Sequence, residues 1–343
     1  MDTTLIIGIL IVVLALVFDF SNGFNDSANI VATVIGTRAL TPAKAIFFAC
    51  IFEFIGAYFL GTAVAKTIGK GIIDPMIITG DKYGIIIIFA TVISAAGWNI
   101  ICAVLGFPIS ASHALIGGFI GAGVVAGGPD IVQWKNILII FIFLIGAPVI
   151  SLVFSFFVTK LAYFFDRGTT PKINKTFRFL EICSSMGFAL SHGTNDAQKT
   201  MGIITFSLIV LGLYTPSGDV FIPKWVIIAC ALSISLGIAF GGKGVIKTIG
   251  MNIFRIRHIN GFSAQSSGAG VIYLATIFGL PVSSTHIISG AVMGTGAAER
   301  VKAVRWGSSF NIFLVWLITM PFTAAVSAII YFLLINGVKF VGW

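Results

Sequence analysis

Charge is what this chain has least of. Asp, Glu, Lys and Arg make up only 10% of its 343 residues, against about 25% in a soluble globular domain, and the mean hydropathy is +1.06. A soluble enzyme is excluded on that count. Cysteine is scarce too: Cys50, Cys102, Cys183 and Cys230 all sit in apolar stretches, without the CxxC or Cys/His spacing of a zinc or redox site. No GxxxxGK[ST], HExxH or GxSxG occurs, which removes an ATP-driven pump and the commonest hydrolases. Period-two alternation over about 10 residues is also missing, so an outer-membrane barrel is excluded. The start, Met1-Asp2-Thr3-Thr4, lacks a basic leader, and the first apolar run ends at Asp19 rather than in a small-residue cleavage site, so it reads as a retained span.

Long apolar runs are abundant. Leu5 to Val17, Ile85 through Leu105, Ile137 to Val158 and Phe310 to Ile335 are nearly uncharged, and each reaches or approaches the roughly 20 residues that cross a bilayer as helix. The net charge of +9 comes from cations in the short connections between such runs. That is the distribution of a membrane protein's cytoplasmic loops, and nucleic acid is not implied.

The chain is written twice. Gly23-Phe24-Asn25-Asp26-Ser27-Ala28 returns as Gly193-Thr194-Asn195-Asp196-Ala197-Gln198, and Gly106-Phe107-Pro108-Ile109-Ser110-Ala111-Ser112-His113 returns as Gly279-Leu280-Pro281-Val282-Ser283-Ser284-Thr285-His286. Between them Lys66-Thr67-Ile68-Gly69 pairs with Lys247-Thr248-Ile249-Gly250. Charge differs between matched loops: residues 66–82 carry net +1 and 243–257 net +4, while 130–135 carry 0 and 299–305 net +2. The connection from Lys160 to Arg178 holds five cations and one acid. Loops retaining Lys and Arg are cytoplasmic, so the halves are inverted and both termini lie outside. The expected architecture is an all-α integral membrane protein of two inverted repeats, 1–165 and 178–343, joined by a cytoplasmic loop at 166–177. Ten to twelve transmembrane helices are expected, some of them broken or re-entrant half-helices.

Inverted repeats build secondary transporters, whose sites lie at the repeat interface on interrupted helices. Ser21, Asn22, Gly23, Asn25 and Asp26 interrupt an apolar run with residues that prefer caps and turns, and the helix is expected to open there. Gly and Pro ahead of Ser or Thr and a small-residue segment write the N-terminus of a half-helix. Two such termini facing inward, with their N–H groups, dipoles and hydroxyls, suit a tetrahedral oxyanion, phosphate or sulfate. Asp26 and Asp196 hold the same motif position in apolar surroundings, where a carboxylate needs a cation. With Asn25, Asn195 and opened carbonyls they offer hard oxygens for Na⁺, and a carboxylate that takes a proton serves H⁺ equally. Glu53 lacks a twin, since Ile234 stands at its counterpart; it is an additional cation site, a gate or an interfacial acid. Lys199 is a structural counter-charge. Asp19, Asp81 and Asp130 read as interfacial. His113 and His286 are as readily packing residues as ligands, and Gly117/Gly121 and Gly290/Gly294 have the spacing of close helix packing.

In their order and spacing the four motif copies resemble the inorganic phosphate transporter (PiT) family across nearly the whole chain. Gly23, Asn25, Asp26, Ala28 and Asn29 match its Gly-Ala-Asn-Asp-x-Ala-Asn signature with Phe24 in place of Ala, and the second copy departs at Gln198-Lys199. The resemblance implies symport of inorganic phosphate with Na⁺, or with H⁺ as in many bacterial members, in a compact prokaryotic form. It implies that Asn25, Asn195, Ser110, Ser112, Ser283, Ser284 and Thr285 line the phosphate site beside Asp26 and Asp196. No cofactor is implied beyond the coupling ion. A sulfate permease of the same build is the near alternative. An intramembrane aspartyl protease using the two aspartates is a remote one, because the Gly-x-Gly-Asp context is absent. An anion channel has no need of paired buried carboxylates. The expected location is the cytoplasmic membrane, with a homodimer through Phe-rich faces such as Phe141, Phe143, Phe154, Phe156 and Phe157.

Overall fold

The computed structural model describes residues 3–73, 82–167, 173–216, 222–241 and 256–341. Among them are eleven α-helices and no strand. The first half contributes α1 (Thr3–Gly36), α2 (Pro42–Phe59), α3 (Ala63–Gly71), α4 (Lys82–Leu105), α5 (Ala111–Gly127) and α6 (Trp134–Asp166). The second contributes α7 (Ile173–Val210), α8 (Lys224–Phe240), α9 (His258–Ile277), α10 (Ser284–Glu299) and α11 (Trp306–Val341). In order and in motif, α1, α2, α4, α5 and α6 correspond to α7, α8, α9, α10 and α11. This is the expected all-helical membrane fold of two inverted repeats. Among the described residues five helices are long and apolar enough to cross a membrane. The second Lys-Thr-Ile-Gly block, Asp81 and the basic stretch at 243–255 lie outside the described residues.

The Gly-x-Pro-x-Ser motifs end one helix and begin the next. Gly106 and Gly279 have φ of 74° and 69°, the left-handed conformation that closes a helix and that only glycine takes without strain. Phe107 N–H then bonds back to Cys102 O at 2.9 Å, and Leu280 N–H to Ala275 O at 2.9 Å. Four residues on, Ser110 and Ser283 cap α5 and α10, their hydroxyls accepting from the N–H of His113 (3.2 Å) and His286 (3.3 Å). With 17 and 16 residues, these helices extend about 25 Å at 1.5 Å per residue, short of a bilayer's hydrocarbon core. They are the expected half-helices.

The expected opening at the Asn-Asp motifs does not occur. Both α1 and α7 run unbroken through them, over 34 and 38 residues. The polar side chains that invite a break are satisfied without one. Ser21 Oγ donates to Phe18 O (2.7 Å), Ser27 Oγ to Phe24 O (2.9 Å) and Thr194 Oγ1 to Leu190 O (2.7 Å), back-bonds a helix accommodates. Asn22, Asp26, Asn29, Asn195 and Asp196 reach other helices instead, while Asn25 Oδ1 is buried without a partner among the described residues. Backbone carbonyls freed by unwinding are therefore not part of this site.

Glycine serves here as a contact surface. A Cβ on Gly23 would meet the backbone carbonyl of Ile234 in α8, and one on Gly237 the carbonyl of Phe20 in α1. The second half repeats the crossing, with Gly193 against Glu53 O in α2 and Gly56 against Leu190 O in α7. Gly117 and Gly121 lie on Met320 and Ala324 of α11, and Gly290 and Gly294 on Pro148 and Leu152 of α6. These glycines are packing surfaces, as their spacing suggested. The glycine crossings join opposite halves, α1 with α8, α7 with α2, α5 with α11 and α10 with α6, while α7 packs as closely on α9 of its own half.

Substituting Gly121→Leu drives a side chain into the α11 backbone. The expected result is a loss of about 3 kcal/mol or more, read as a lower melting temperature in detergent. Gly97→Ala, where a Cβ meets nothing within 4 Å, is expected to be neutral or to stabilise by about 0.5–1 kcal/mol.

Candidate functional site

The unbroken α1 and α7 cross at the centre and bring their motif residues onto the first turn of α10. Asp26 (3% exposed) and Asp196 (1%) are both buried there. Ser284 Oγ bridges them, 3.1 Å from Asp26 Oδ2 and 3.4 Å from Asp196 Oδ2. Asp26 Oδ1 accepts from Asn29 Nδ2 and from Thr285 Oγ1, both at 2.8 Å. Asp196 Oδ1 accepts from Lys199 Nζ at 2.9 Å, and its Oδ2 from Asn22 Nδ2 at 3.1 Å. One oxygen of each carboxylate and a ring nitrogen of His192 lie within 4.8 Å of one another.

His192 links this pair to a third carboxylate. Its Nε2 is 3.3 Å from Asp26 Oδ2 and 3.8 Å from Asp196 Oδ2, while Nδ1 is 2.6 Å from Glu53 Oε1. Glu53, 0% exposed, is thus an inward residue of the site and not an interfacial acid. Asp19 departs from its interfacial reading as well: it is buried in α1 and accepts from Thr200 Oγ1 at 2.8 Å. Asp130 is exposed, as expected.

The remaining sequence candidates build the walls. Asn195 Nδ2 donates to Thr276 Oγ1 (2.9 Å) and Leu280 O (3.2 Å), and its Oδ1 accepts from Val282 N–H (3.3 Å), so it shapes the turn into α10. Ser110 and Ser283 spend their hydroxyls as caps, and Ser110 Oγ also meets His113 Nδ1 at 2.7 Å. Ser112 Oγ donates to Val282 O at 2.9 Å, joining the tips of the two half-helices. The His113 and His286 rings lie 4.8 Å apart in a tilted pair and His286 stacks on Trp316 at 3.7 Å, and both line an apolar cavity between α6 and α11 with Phe141, Phe313 and Leu317.

Acceptors outnumber donors at this centre. Asp19 Oδ2, Asn25 Oδ1, Asn29 Oδ1 and Glu53 Oε2 are buried without a hydrogen-bond partner among the described residues. Buried polar atoms are ordinarily paired, and unpaired oxygens on Asn29, which bonds Asp26 directly, and on Glu53, which reaches it through His192, fit a bound cation. The donor set, carboxylates, amides and hydroxyls, is the hard-oxygen kind that suits Na⁺.

Sequence reasoning missed His192, Asn22 and the bonding role of Asn29. One signal was present: Asn22 and His192 occupy the same position ahead of their motifs, as do Asn29 and Lys199 after them.

Comparison with known proteins identifies the family. The phosphate transporter family matches twice, over residues 22–170 and 166–327, as two repeats require. A probable low-affinity inorganic phosphate transporter of Bacillus subtilis (strain 168) is 44% identical over 97% of this chain and 99% of its own length. One of Rhizobium meliloti (strain 1021) is 43% identical over 97% and 98%. A solved structure described as the sodium-dependent phosphate transporter superposes with a TM-score of 0.85 at 28% identity, covering 96% of this chain and 98% of that one. Matched in both halves and along nearly all its length, the chain belongs to the phosphate transporter family.

Proposed function

We propose that the protein is a secondary active transporter of the cytoplasmic membrane that carries inorganic phosphate inward with a coupling cation, Na⁺ in the favoured reading. Its halves, 1–165 and 178–343 about the connection at 166–177, whose last residues from Ile173 already belong to α7, are the two repeats of an alternating-access mechanism, with both termini outside. The observation that carries this reading is the meeting of Asp26, Asp196, Ser284 and Thr285 at the N-terminus of a half-helix.

A doubly charged oxyanion cannot enter a low-dielectric core without compensation, and neither can two carboxylates. Cations bound at Asp26 and Asp196 would offset both. The first turns of α5 and α10 supply N–H groups that have no partner within their helices, at the positive ends of their dipoles, with the Ser284 and Thr285 hydroxyls beside them. Phosphate and cation then each make the other's binding favourable, which links their fluxes. With the cation but no anion, or the reverse, the centre is left with uncompensated charge, and the exchange of facing is disfavoured. The sodium dependence in the solved relative's description supports Na⁺. A proton reading has one observation of its own: His192, the side chain type that titrates near neutral pH, lies between Glu53 and Asp26.

Uptake of labelled phosphate into proteoliposomes, under an inward Na⁺ gradient or an inward proton gradient at equal membrane potential, tests the reading. Na⁺-driven uptake unaffected by excess sulfate is expected; uptake driven only by protons moves the coupling to H⁺, and competition by sulfate moves the substrate. Asp26→Asn is expected to abolish coupled uptake while eluting as folded protein, and coupled uptake by this variant would overturn the cation assignment. Thr285→Val keeps the shape and removes a hydrogen bond to a carboxylate worth about 1.5–3 kcal/mol. It should raise the cation concentration for half-maximal uptake roughly 10-fold or more.

A further inference from the structure

The two motif copies place the same backbone around their carboxylates but different charges. Three residues after Asp26 stands Asn29, whose amide donates to Asp26 Oδ1 at 2.8 Å. Three residues after Asp196 stands Lys199, whose ammonium donates to Asp196 Oδ1 at 2.9 Å. Lys199 is 1% exposed, buried inside the bundle with no solvent to which its ammonium extends. Its Nζ also donates to the backbone carbonyl of Val282 at 2.9 Å. A carboxylate oxygen and a main-chain carbonyl, both hard acceptors, are the ligands a small monovalent cation would take at this point.

We propose that Lys199 is a built-in cation that fills the second carboxylate's coupling site, so that only the Asp26 side takes up a mobile cation in each transport cycle. This rests on the cation-coupled reading above and sets its stoichiometry. Around Asp26 the donors are the neutral groups of Asn29, Thr285 and Ser284, with the His192 ring nitrogen at 3.3 Å shared between Asp26 and, at 3.8 Å, Asp196. Asn29 Oδ1 and, on the residue next to Asp26, Asn25 Oδ1 are buried without a partner among the described residues. That side has oxygens to spare. On the Asp196 side the ammonium already supplies the positive charge, and Asn22 and Ser284 donate to the other carboxylate oxygen.

The tether has a mechanical side as well. Val282 O, which accepts from Lys199, also accepts from Ser112 Oγ at 2.9 Å. The fixed charge therefore lies at the junction of both half-helix tips, and it travels with the protein in both directions of the cycle. A mobile cation at the same place would add one charge to every phosphate carried; the lysine adds none.

Lys199→Asn gives the second motif the residue of the first. In proteoliposomes with a set phosphate gradient, the cation gradient and membrane potential that just stop net flux give the coupling ratio. Wild-type protein is expected to couple one cation fewer per phosphate than K199N. Phosphate uptake by both proteins at the same ratio would overturn the proposal and leave the transport reading intact. Uptake by wild type that ignores every cation gradient would overturn both. Should K199N elute as folded protein but not transport, Lys199→Ala is assayed with Na⁺ or methylammonium added at high concentration. Recovery of uptake supports a missing cation, which a merely structural lysine would not show, and no recovery overturns the proposal. A measurement on wild type alone covers variants that do not fold: crystals soaked in Tl⁺ are expected to show no anomalous peak within hydrogen-bond distance of Asp196 Oδ1, and a peak there would overturn the assignment.

Discussion

Two carboxylates share one hydroxyl in the middle of an apolar helical bundle, and much of the architecture follows from keeping them there. Ionised groups at that depth need partners from several directions. Those partners come from four helices: Asn29 and Asn22 from α1, His192 and Lys199 from α7, Ser284 and Thr285 from α10, and Glu53 from α2 by way of His192. Such convergence demands close helix axes, and the glycines at the crossings permit them. It also demands a helix end aimed at the centre, which the Ser283 cap and the preceding left-handed Gly279 provide.

Features set by a few consecutive residues were legible in the sequence. Gly106 and Gly279, each followed by Pro and then Ser, specify where one helix stops and another starts, because φ and capping chemistry are local matters. The paired aspartates could be found because duplication repeats them. The Asn-Asp stretch misled for a physical reason: propensity describes what a polar side chain does when only its own backbone is near. Here Asn22 finds Asp196 in α7, Asn29 finds Thr285 in α10 at 3.0 Å, and the helix has nothing to gain by opening. Glu53 and Asp19 were opaque because burial of an acid depends on which helix passes it. His192 brings Glu53 inward from another element, and Thr200 of α7 meets Asp19 of α1.

The repeats have kept their shape and parted in their charge. Contacts that set the backbone recur in both halves: the serine caps and the glycine crossings. Side chains facing the carboxylates differ, with nitrogen bases in the second half where the first has amides. A duplicated scaffold tolerates this because shape complementarity is needed on both sides of the pseudo-twofold axis, whereas charge has to balance only over the whole centre.

The interlocked crossings bear on how such a chain is made. Ribosomes deliver the first half before the second, yet the surfaces of α1, α5 and α6 that carry the tightest contacts face α8, α11 and α10. Until those emerge, glycine grooves and a half-helix too short to span must wait in the bilayer without their partners. The nascent first half is therefore an intermediate exposed to mispairing with lipid or other proteins. Assembly of the bundle is a late event, completed only after the final helix has left the ribosome.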